Sequence, residues 1–135
     1  MAYTLKDVCA LLNLPASTIR YYDREGLLPG LERTEGGYRR FSDDDVGLLR
    51  MIECLKRTGM PIRDIRQFTV WLGQGDASLR ERYEMFQERK KAVQEQIAQL
   101  EETMKVIDHK CRYYAAALEA GTEAVHRGAA PCGDA

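Results

Sequence analysis

A heptad pattern runs almost unbroken through the second half of this chain. Apolar side chains recur there at alternating intervals of four and three residues. The positions are Leu79, Tyr83, Phe86, Lys90, Val93, Ile97, Leu100, Met104, Ile107, Cys111, Tyr114 and Leu118, of which Lys90 alone breaks the apolar character. This is the spacing of a coiled-coil seam, and one helix cannot bury such a stripe by itself. The sequence therefore predicts a long helix from about residue 77 to residue 118 that pairs with a second copy, so we expect a homodimer.

Short helices separated by turn signals are predicted before the long helix. Thr4 and Asp7 form a capping-box pattern, and a second helix is expected from Pro15 to about Arg24. Two helices joined by a tight turn within about 22 residues have the size of a helix-turn-helix. The pair Gly36-Gly37 then predicts a β-hairpin, which would form a small wing beside the helices.

Two more helices are predicted after the hairpin. Ser42 and the three aspartates that follow it are typical of a helix start, and that helix is expected to stop at Gly59 before Pro61 opens the next. The predicted fold class is mainly α. The chain is predicted to comprise a winged helix-turn-helix domain with a second helical pair at residues 1–75, a dimerisation helix at 76–120 and a disordered tail at 121–135.

Composition and charge exclude several kinds of protein. The net charge is −1, so total charge gives no support for a nucleic-acid partner, and positive charge would have to be concentrated locally. Four cysteines without a CxxC pair and only two histidines argue against a metal site. No secretory segment or membrane-length apolar run is present, so we expect a cytoplasmic protein with no membrane partner and no cofactor.

The second helix divides into a core side and a polar side. Ile19 and Tyr22 lie three residues apart and are expected to face the core. Hydroxyl and guanidinium groups on the other side suit phosphate oxygens and base edges in a major groove. A solvated polar face is the alternative explanation. The polar set comprises Ser17, Thr18, Arg20, Tyr21 and Arg24, and the hairpin adds Arg33, Tyr38, Arg39 and Arg40.

The order of these motifs resembles the MerR family of bacterial transcription regulators. The resemblance rests on residues 17–29 (STIRYYDREGLLP), on Arg33, on residues 37–42 (GYRRFS) and on residues 58–62 (TGMPI). It implies a winged-helix DNA-binding domain and an antiparallel pair of long dimer helices. It also implies binding to an inverted repeat in promoters whose two recognition elements lie too far apart. An effector would make the dimer distort this DNA so that bacterial RNA polymerase can use both elements.

The resemblance also implies individual DNA contacts. By position, they are Arg20, Tyr21, Tyr22, Arg33, Tyr38 and Arg39. The assignment of Tyr22 conflicts with its expected place on the core side of the helix, although a packed ring can still present its hydroxyl.

Cys54 is the candidate sensor residue. Arg50 lies four residues before it and Arg57 three residues after it, and cationic neighbours favour the reactive thiolate. Residues 52–60 are similar to the aldehyde- and thiol-stress branch of the family, of the AdhR/NmlR type, in which a cysteine occupies this place. The alternative is that Cys54 is a small buried apolar residue.

Other functions are left open by the sequence. A noncovalent effector could bind among Phe68, Trp71, Tyr83 and Phe86, although aromatic residues at this spacing are more often core. A soft-metal site built from Cys111 and Cys132 is disfavoured. A coiled-coil interaction module would ignore DNA. A thiol enzyme would need partner groups that the sequence does not place near Cys54, so we expect no enzyme.

Overall fold

A computed structural model describes residues 1–126 of the chain. Within these residues the fold is mainly helical, with one small antiparallel sheet. The predicted fold class is confirmed, whereas the pairing of the long helix with a second copy stays a prediction. The elements are β1 (Ala2–Tyr3), α1 (Leu5–Leu12), α2 (Ala16–Arg24), β2 (Glu32–Arg33), β3 (Arg39–Ser42), α3 (Asp43–Arg57), α4 (Ile62–Gly73) and α5 (Leu79–Ala120).

Two helices begin with capping boxes, of which the sequence predicted the first as such and the second only as a helix start at Ser42. The Asp7 backbone N–H donates to Thr4 Oγ1 at 3.1 Å, and the Thr4 N–H donates to Asp7 Oδ2 at 3.0 Å. Ser42 and Asp45 repeat this exchange at the start of α3, at 2.9 and 3.1 Å. Each box satisfies backbone donors that a helix start leaves unpaired, so both helix starts are fixed by local sequence.

The sheet contains one strand that the sequence did not predict. The strand order in the sheet is β1-β3-β2, with Tyr3 opposite Phe41 and Arg33 opposite Arg39. The segments β2 and β3 form the expected hairpin around Gly36 and Gly37. The extra strand β1 is two residues long, which is too short to show the alternating pattern that identifies a strand.

One apolar core fixes the second helix of the helix-turn-helix. Ile19 of α2 is fully buried with Val8 of α1, Phe41 of β3 and Leu49 of α3. The chain turns sharply after α2 at Gly26, whose φ of 75° lies in the left-handed region that favours glycine. Beyond that turn, Arg66 of α4 donates to the Glu25 carbonyl and side chain, both at 2.7 Å. The C-terminal end of α2 is thus tied to α4.

A short 3₁₀ turn, Gly75–Ser78, joins α4 to α5. The Ser78 hydroxyl is buried and donates to the Trp71 carbonyl, and Arg82 donates to Gly75 O at 2.7 Å. These bonds replace the helical bonds that the turn interrupts. The structure divides within α5 into two compact units, Met1–Arg89 and the residues from Lys90 onward. In the described part of the chain, no helix combines the length and apolar character that crossing a membrane requires.

The second unit holds α5 from Lys90 onward and a short 3₁₀ turn, Glu123–His126. Tyr113 is buried, donates its hydroxyl to Glu123 at 2.9 Å and stacks on the His126 ring at 3.9 Å between centroids. The predicted disordered tail includes this turn, and its residues 127–135 lie outside the described part of the chain.

Candidate nucleic-acid interface

The outward face of α2 carries most of the predicted polar residues. Ser17, Arg20 and Tyr21 are exposed, and Thr18 is half-buried. Ile19 on the opposite side is fully buried, so the division predicted from helical spacing is present in the structure. Hydroxyl and guanidinium groups therefore project from one side of a helix whose other side is anchored in the core.

The N-terminal end of α2 is open. No side chain caps it, because Pro15 occupies the N-cap position. A helix N-terminus carries partial positive charge and free N–H groups, which together attract anions. A cleft of about 960 Å³ begins at this end and extends to the hairpin. Its lining includes Pro15 and Ala16 and the basic residues Lys6, Arg20, Arg39 and Arg40. This basic cleft therefore brings four cationic side chains together, although two of them, Arg39 and Arg40, are also paired with carboxylates.

The hairpin presents an exposed aromatic ring beside this cleft. Tyr38 is 76% exposed, and its ring lies over Gly36, where an added Cβ would come within 3.2 Å of ring carbons. Gly37 has a φ of 83°, which a residue with a side chain rarely adopts. The two glycines thus allow the tight turn and the position of the Tyr38 ring.

The two hairpin arginines named by the resemblance both pair with one carboxylate of α2. Arg39 Nε donates to Asp23 Oδ2 at 2.7 Å, and Arg33 Nη2 lies 3.4 Å from the same oxygen. Arg33 also donates through Nη1 to the Gly37 carbonyl at 3.0 Å. Arg40 pairs instead with Glu32 across the hairpin at 3.0 Å. Sequence reasoning missed Asp23, although it is an acidic residue at the end of an otherwise basic, polar helix face.

Two family patterns together match this chain from residue 3 to residue 110. The family pattern described as MerR HTH family regulatory protein matches residues 3–69, and the pattern described as MerR, DNA binding matches residues 46–110. An HTH-type transcriptional regulator of Haemophilus influenzae, itself uncharacterised, is 38% identical over 122 residues, which is 90% of this chain and 90% of that protein. The chain belongs to the MerR family.

Two further relatives lie in the branch that the sequence indicated. The regulator AdhR of Bacillus subtilis is 30% identical over 78 residues, covering 58% of this chain and 56% of AdhR. The crystal structure of HiNmlR is described as that of a MerR family regulator lacking the sensor domain, bound to promoter DNA. It superposes with a TM-score of 0.83 and 37% identity, and the match covers 93% of this chain and 99% of HiNmlR. The predicted resemblance to the AdhR/NmlR branch is confirmed.

Membership in the MerR family decides among the functions that the sequence left open. This MerR-family protein is a DNA-binding transcription regulator and not an enzyme. The thiol-enzyme hypothesis is therefore wrong, as is the hypothesis of a coiled-coil module without a DNA role. The individual contact residues stay proposals.

Tyr22 is a core residue in this MerR-family domain. Its side chain is 1% exposed, and its hydroxyl donates to Glu53 Oε1 at 2.5 Å while accepting from Lys56 Nζ at 3.1 Å. Burial and the hydrogen bond to the Glu53 carboxylate raise the pKa of Tyr22 well above its usual range. The prediction that Tyr22 contacts DNA is corrected on this ground, because the hydroxyl would have to leave Glu53 to reach a phosphate.

The candidate sensor Cys54 is exposed on α3. The alternative explanation, a buried apolar residue, is therefore wrong for the single chain. Its neighbour Glu53 accepts the hydrogen bond from Tyr22, so Cys54 adjoins a contact between α3 and α2. Cys111 is exposed on α5, Cys9 is half-buried, and Cys132 lies outside the described residues. Within residues 1–126, no group of three or more His, Cys, Asp or Glu side chains could hold a metal ion.

Proposed function

We propose that this protein is a homodimeric regulator that binds an inverted repeat in promoter DNA. The observation that carries the proposal is the exposed polar face of α2, whose uncapped N-terminal end opens on the basic cleft. In this proposal α2 enters the major groove, with Ser17, Thr18, Arg20 and Tyr21 toward the DNA. Arg33, Tyr38 and Arg39 of the hairpin contact the flanking backbone, where cationic groups release counterions from phosphates.

The dimer part of the proposal is supported by exposed apolar side chains along α5. Leu79 and Tyr83 are 55% and 61% exposed, and Leu100 and Leu118 are 68% and 83% exposed. An apolar stripe of this length is rare on the surface of a monomer. A second copy of α5, running antiparallel, would cover the stripe through the heptad seam. Two copies of α2 would then face the two halves of a palindrome, since symmetric proteins bind symmetric sites.

Promoter DNA as the partner is supported by HiNmlR, which is matched over almost its whole length and is described as bound to promoter DNA. We extend the family mechanism to this chain in the same proposal. An effector would change the dimer so that it distorts an overlong promoter spacer. RNA polymerase would then reach both promoter elements without having to contact this protein.

For the effector, we propose a reactive electrophile that modifies Cys54. The exposed thiol is accessible to a small aldehyde. The sulfur would add to the carbonyl carbon, and the thiol proton would pass to the carbonyl oxygen, giving a hemithioacetal. The adduct would add bulk beside Glu53, which holds Tyr22 of α2. An adduct that displaces the Glu53 carboxylate would break its bond with Tyr22, and α2 would then shift within the close-packed core.

A noncovalent effector at the start of α5 is the second candidate. A cleft of about 560 Å³ is lined by Asp76, Ala77, Leu79, Arg80 and Tyr83, and this observation favours it. However, Leu79 and Tyr83 are seam positions that a partner helix would cover. The Phe68 and Phe86 rings pack edge to face at 5.6 Å, so they fill space rather than leave it open.

Binding to a palindrome and to a single half-site tests the DNA proposal. Fluorescence anisotropy would be measured on both duplexes over a series of salt concentrations, after footprinting has identified the site. We expect the palindrome to bind far more tightly, with one dimer per duplex by sedimentation. Equal affinity for the isolated half-site, or a monomer on the palindrome, would refute it.

Two cysteine variants test the sensor. Cys54→Ser should keep its DNA affinity but lose the response to formaldehyde in an in vitro transcription assay, because the nucleophile is gone. Cys132→Ser is the control, because it removes a thiol outside both the DNA-binding domain and the α5 seam and should respond as the parent does. Mass spectrometry after labelling with N-ethylmaleimide would confirm which thiol reacts. A full response in Cys54→Ser would remove this residue from the mechanism and favour the noncovalent effector.

A further inference from the structure

We propose that Asp23 is the positioning residue that fixes the hairpin arginines against the recognition helix α2. The inference rests on the proposed roles of α2 and the hairpin in DNA binding. An acidic side chain beside a DNA-binding surface would ordinarily weaken binding, because it repels phosphates. Asp23 lies at the end of α2, and its Oδ2 accepts hydrogen bonds from both Arg33 and Arg39. Its effect on binding is therefore expected to differ from that of a simple negative charge.

The hairpin register explains why the two arginines need a shared partner. Arg33 and Arg39 are directly opposite each other on β2 and β3, so their side chains project from the same face. Like charges at such a position repel and destabilise the pairing of the strands. The Asp23 carboxylate lies between the two guanidinium groups and offsets this repulsion. Without it, the two cations would separate by changing rotamer.

The geometry of Arg39 shows how the carboxylate sets direction. The bond from Nε to Asp23 is 2.7 Å long, and the side chains of Arg39 and Asp23 are only 18% and 20% exposed. A guanidinium group is planar, so a bond to Nε also fixes the direction of the two terminal nitrogens. In this proposal, the terminal nitrogens are thereby held in a defined position toward a phosphate. Lysine has no such fork and would keep the charge but not the direction.

Arg33 connects the same carboxylate to the tip of the hairpin. Its Nη1 donates to the Gly37 carbonyl at 3.0 Å, while Nη2 reaches Asp23. One side chain therefore joins α2 to the turn that carries Tyr38. The spacing between the recognition helix and the hairpin is fixed through this chain of contacts, and a DNA duplex has to match that spacing.

Simple electrostatics and positioning predict opposite results for Asp23→Asn. If the carboxylate only repels DNA, its loss should tighten binding to every duplex and steepen the salt dependence. If it positions the arginines, binding to the specific palindrome should weaken by about a hundredfold, because each of the two subunits loses a contact that contributes about tenfold, although positive charge has been gained. Binding to unrelated duplex should stay equal or tighten, because nonspecific affinity depends on charge rather than direction.

Glu25→Gln is the charge-matched control. Glu25 lies two residues further along, and its ion pair with Arg66 is also 2.7 Å long, but that pair faces α4 and not the hairpin. Its neutral variant should keep the ratio of specific to nonspecific affinity. Asp23→Glu should recover part of the specific affinity, because it restores the carboxylate at a slightly longer reach.

Arg39→Lys provides a second test that leaves the net charge unchanged. It should reduce specific affinity with little change in nonspecific affinity, since the directional bond to Asp23 is lost. Circular dichroism would establish that each variant is folded at the assay temperature. If Asp23→Asn and Arg39→Lys both bind the palindrome as tightly as the parent, the inference is overturned. If the parent itself shows no preference for a palindrome, the proposed function fails instead.

Discussion

Tyr21 and Tyr22 are adjacent on α2, and replacing each in turn by phenylalanine distinguishes a role in folding from a role in DNA contact. Tyr22→Phe removes a buried hydroxyl that bonds Glu53 and Lys56, whereas Tyr21→Phe removes the hydroxyl of a side chain that is 39% exposed. Both variants keep the aromatic ring. The chemical change is therefore identical, and only its position relative to the core differs.

The stability cost of Tyr22→Phe follows mainly from the lost hydrogen bond to Glu53, because Lys56 is exposed and its ammonium group regains water when the hydroxyl is removed. A hydrogen bond to a charged group contributes about 1.5–3 kcal/mol. Glu53 is half-buried and partly regains water in the variant, so the lower end applies, about 1.5 kcal/mol per subunit. This corresponds to a fall in the urea midpoint of roughly 0.5–1.5 M. Tyr21→Phe should leave the midpoint unchanged.

The DNA affinities should show the opposite order. Tyr21→Phe should weaken binding to the palindrome by about tenfold for each subunit, or about a hundredfold for the dimer, if its hydroxyl bonds a phosphate or base edge. Tyr22→Phe should bind as the parent does at temperatures where it is fully folded. Both measurements should use equal protein concentrations, because the stability of a dimer depends on concentration.

A high-pH measurement checks the same contact by another route. The pKa of Tyr22 is raised above its unfolded value near 10, first by burial and then by the Glu53 hydrogen bond. A raised pKa stabilises the fold below the unfolded value, and this stabilisation is lost as pH rises above it. Tyr22→Phe should therefore show a shallower loss of stability above about pH 10. The reasoning is refuted if Tyr22→Phe keeps full stability but loses DNA affinity.

Three more predictions follow from the structure. Arg20→Ala should weaken binding to all duplexes and lower the salt slope of the dimer by about 1.8, or about 0.9 for each subunit, whereas Lys91→Ala on α5 should not; equal slopes would remove Arg20 from the interface. Leu100→Asp should dissociate the dimer by sedimentation, because a carboxylate cannot be buried in an apolar seam; a stable dimer would contradict this seam. Asp43→Asn should flatten the loss of stability in acid. Its pKa is lowered, chiefly by the Tyr3 hydrogen bond, so its stabilisation is lost as pH falls through that value, and an unchanged acid denaturation curve would count against it.

Features that depend on local sequence were predictable. The capping boxes at Thr4 and Ser42 use residues three positions apart, so the sequence contains both partners of each bond. The hairpin was predicted from Gly36 and Gly37 for the same reason. In contrast, β1 exists because Tyr3 lies opposite Phe41, and no local pattern reveals a partner so far along the chain.

The recognition helix shows where helical spacing stops being sufficient. Spacing correctly separated the buried Ile19 from the exposed Arg20. It could not reveal that the hydroxyl of Tyr22 is bonded to Glu53, 31 residues away, and so unavailable to DNA in this structure. The resemblance to the family gave Tyr22 a DNA contact by position, and burial corrected it. The motif marks the positions of functional residues, but it does not show which group each side chain contacts.

The ion pairs of Asp23 with Arg33 and Arg39 also depend on residues that are distant in sequence. The sequence patterns identify the polar face of α2 and the basic hairpin as two separate sets of residues, and neither set contains an acidic residue. The structure joins them through one carboxylate, because the register of β2 and β3 brings Arg33 opposite Arg39 and the core holds α2 beside them. An excess of positive charge alone gives affinity for any nucleic acid. Asp23 holds that charge in one direction through its bonds to Arg33 and Arg39, so in our proposal it contributes to specificity even though it lowers the net charge.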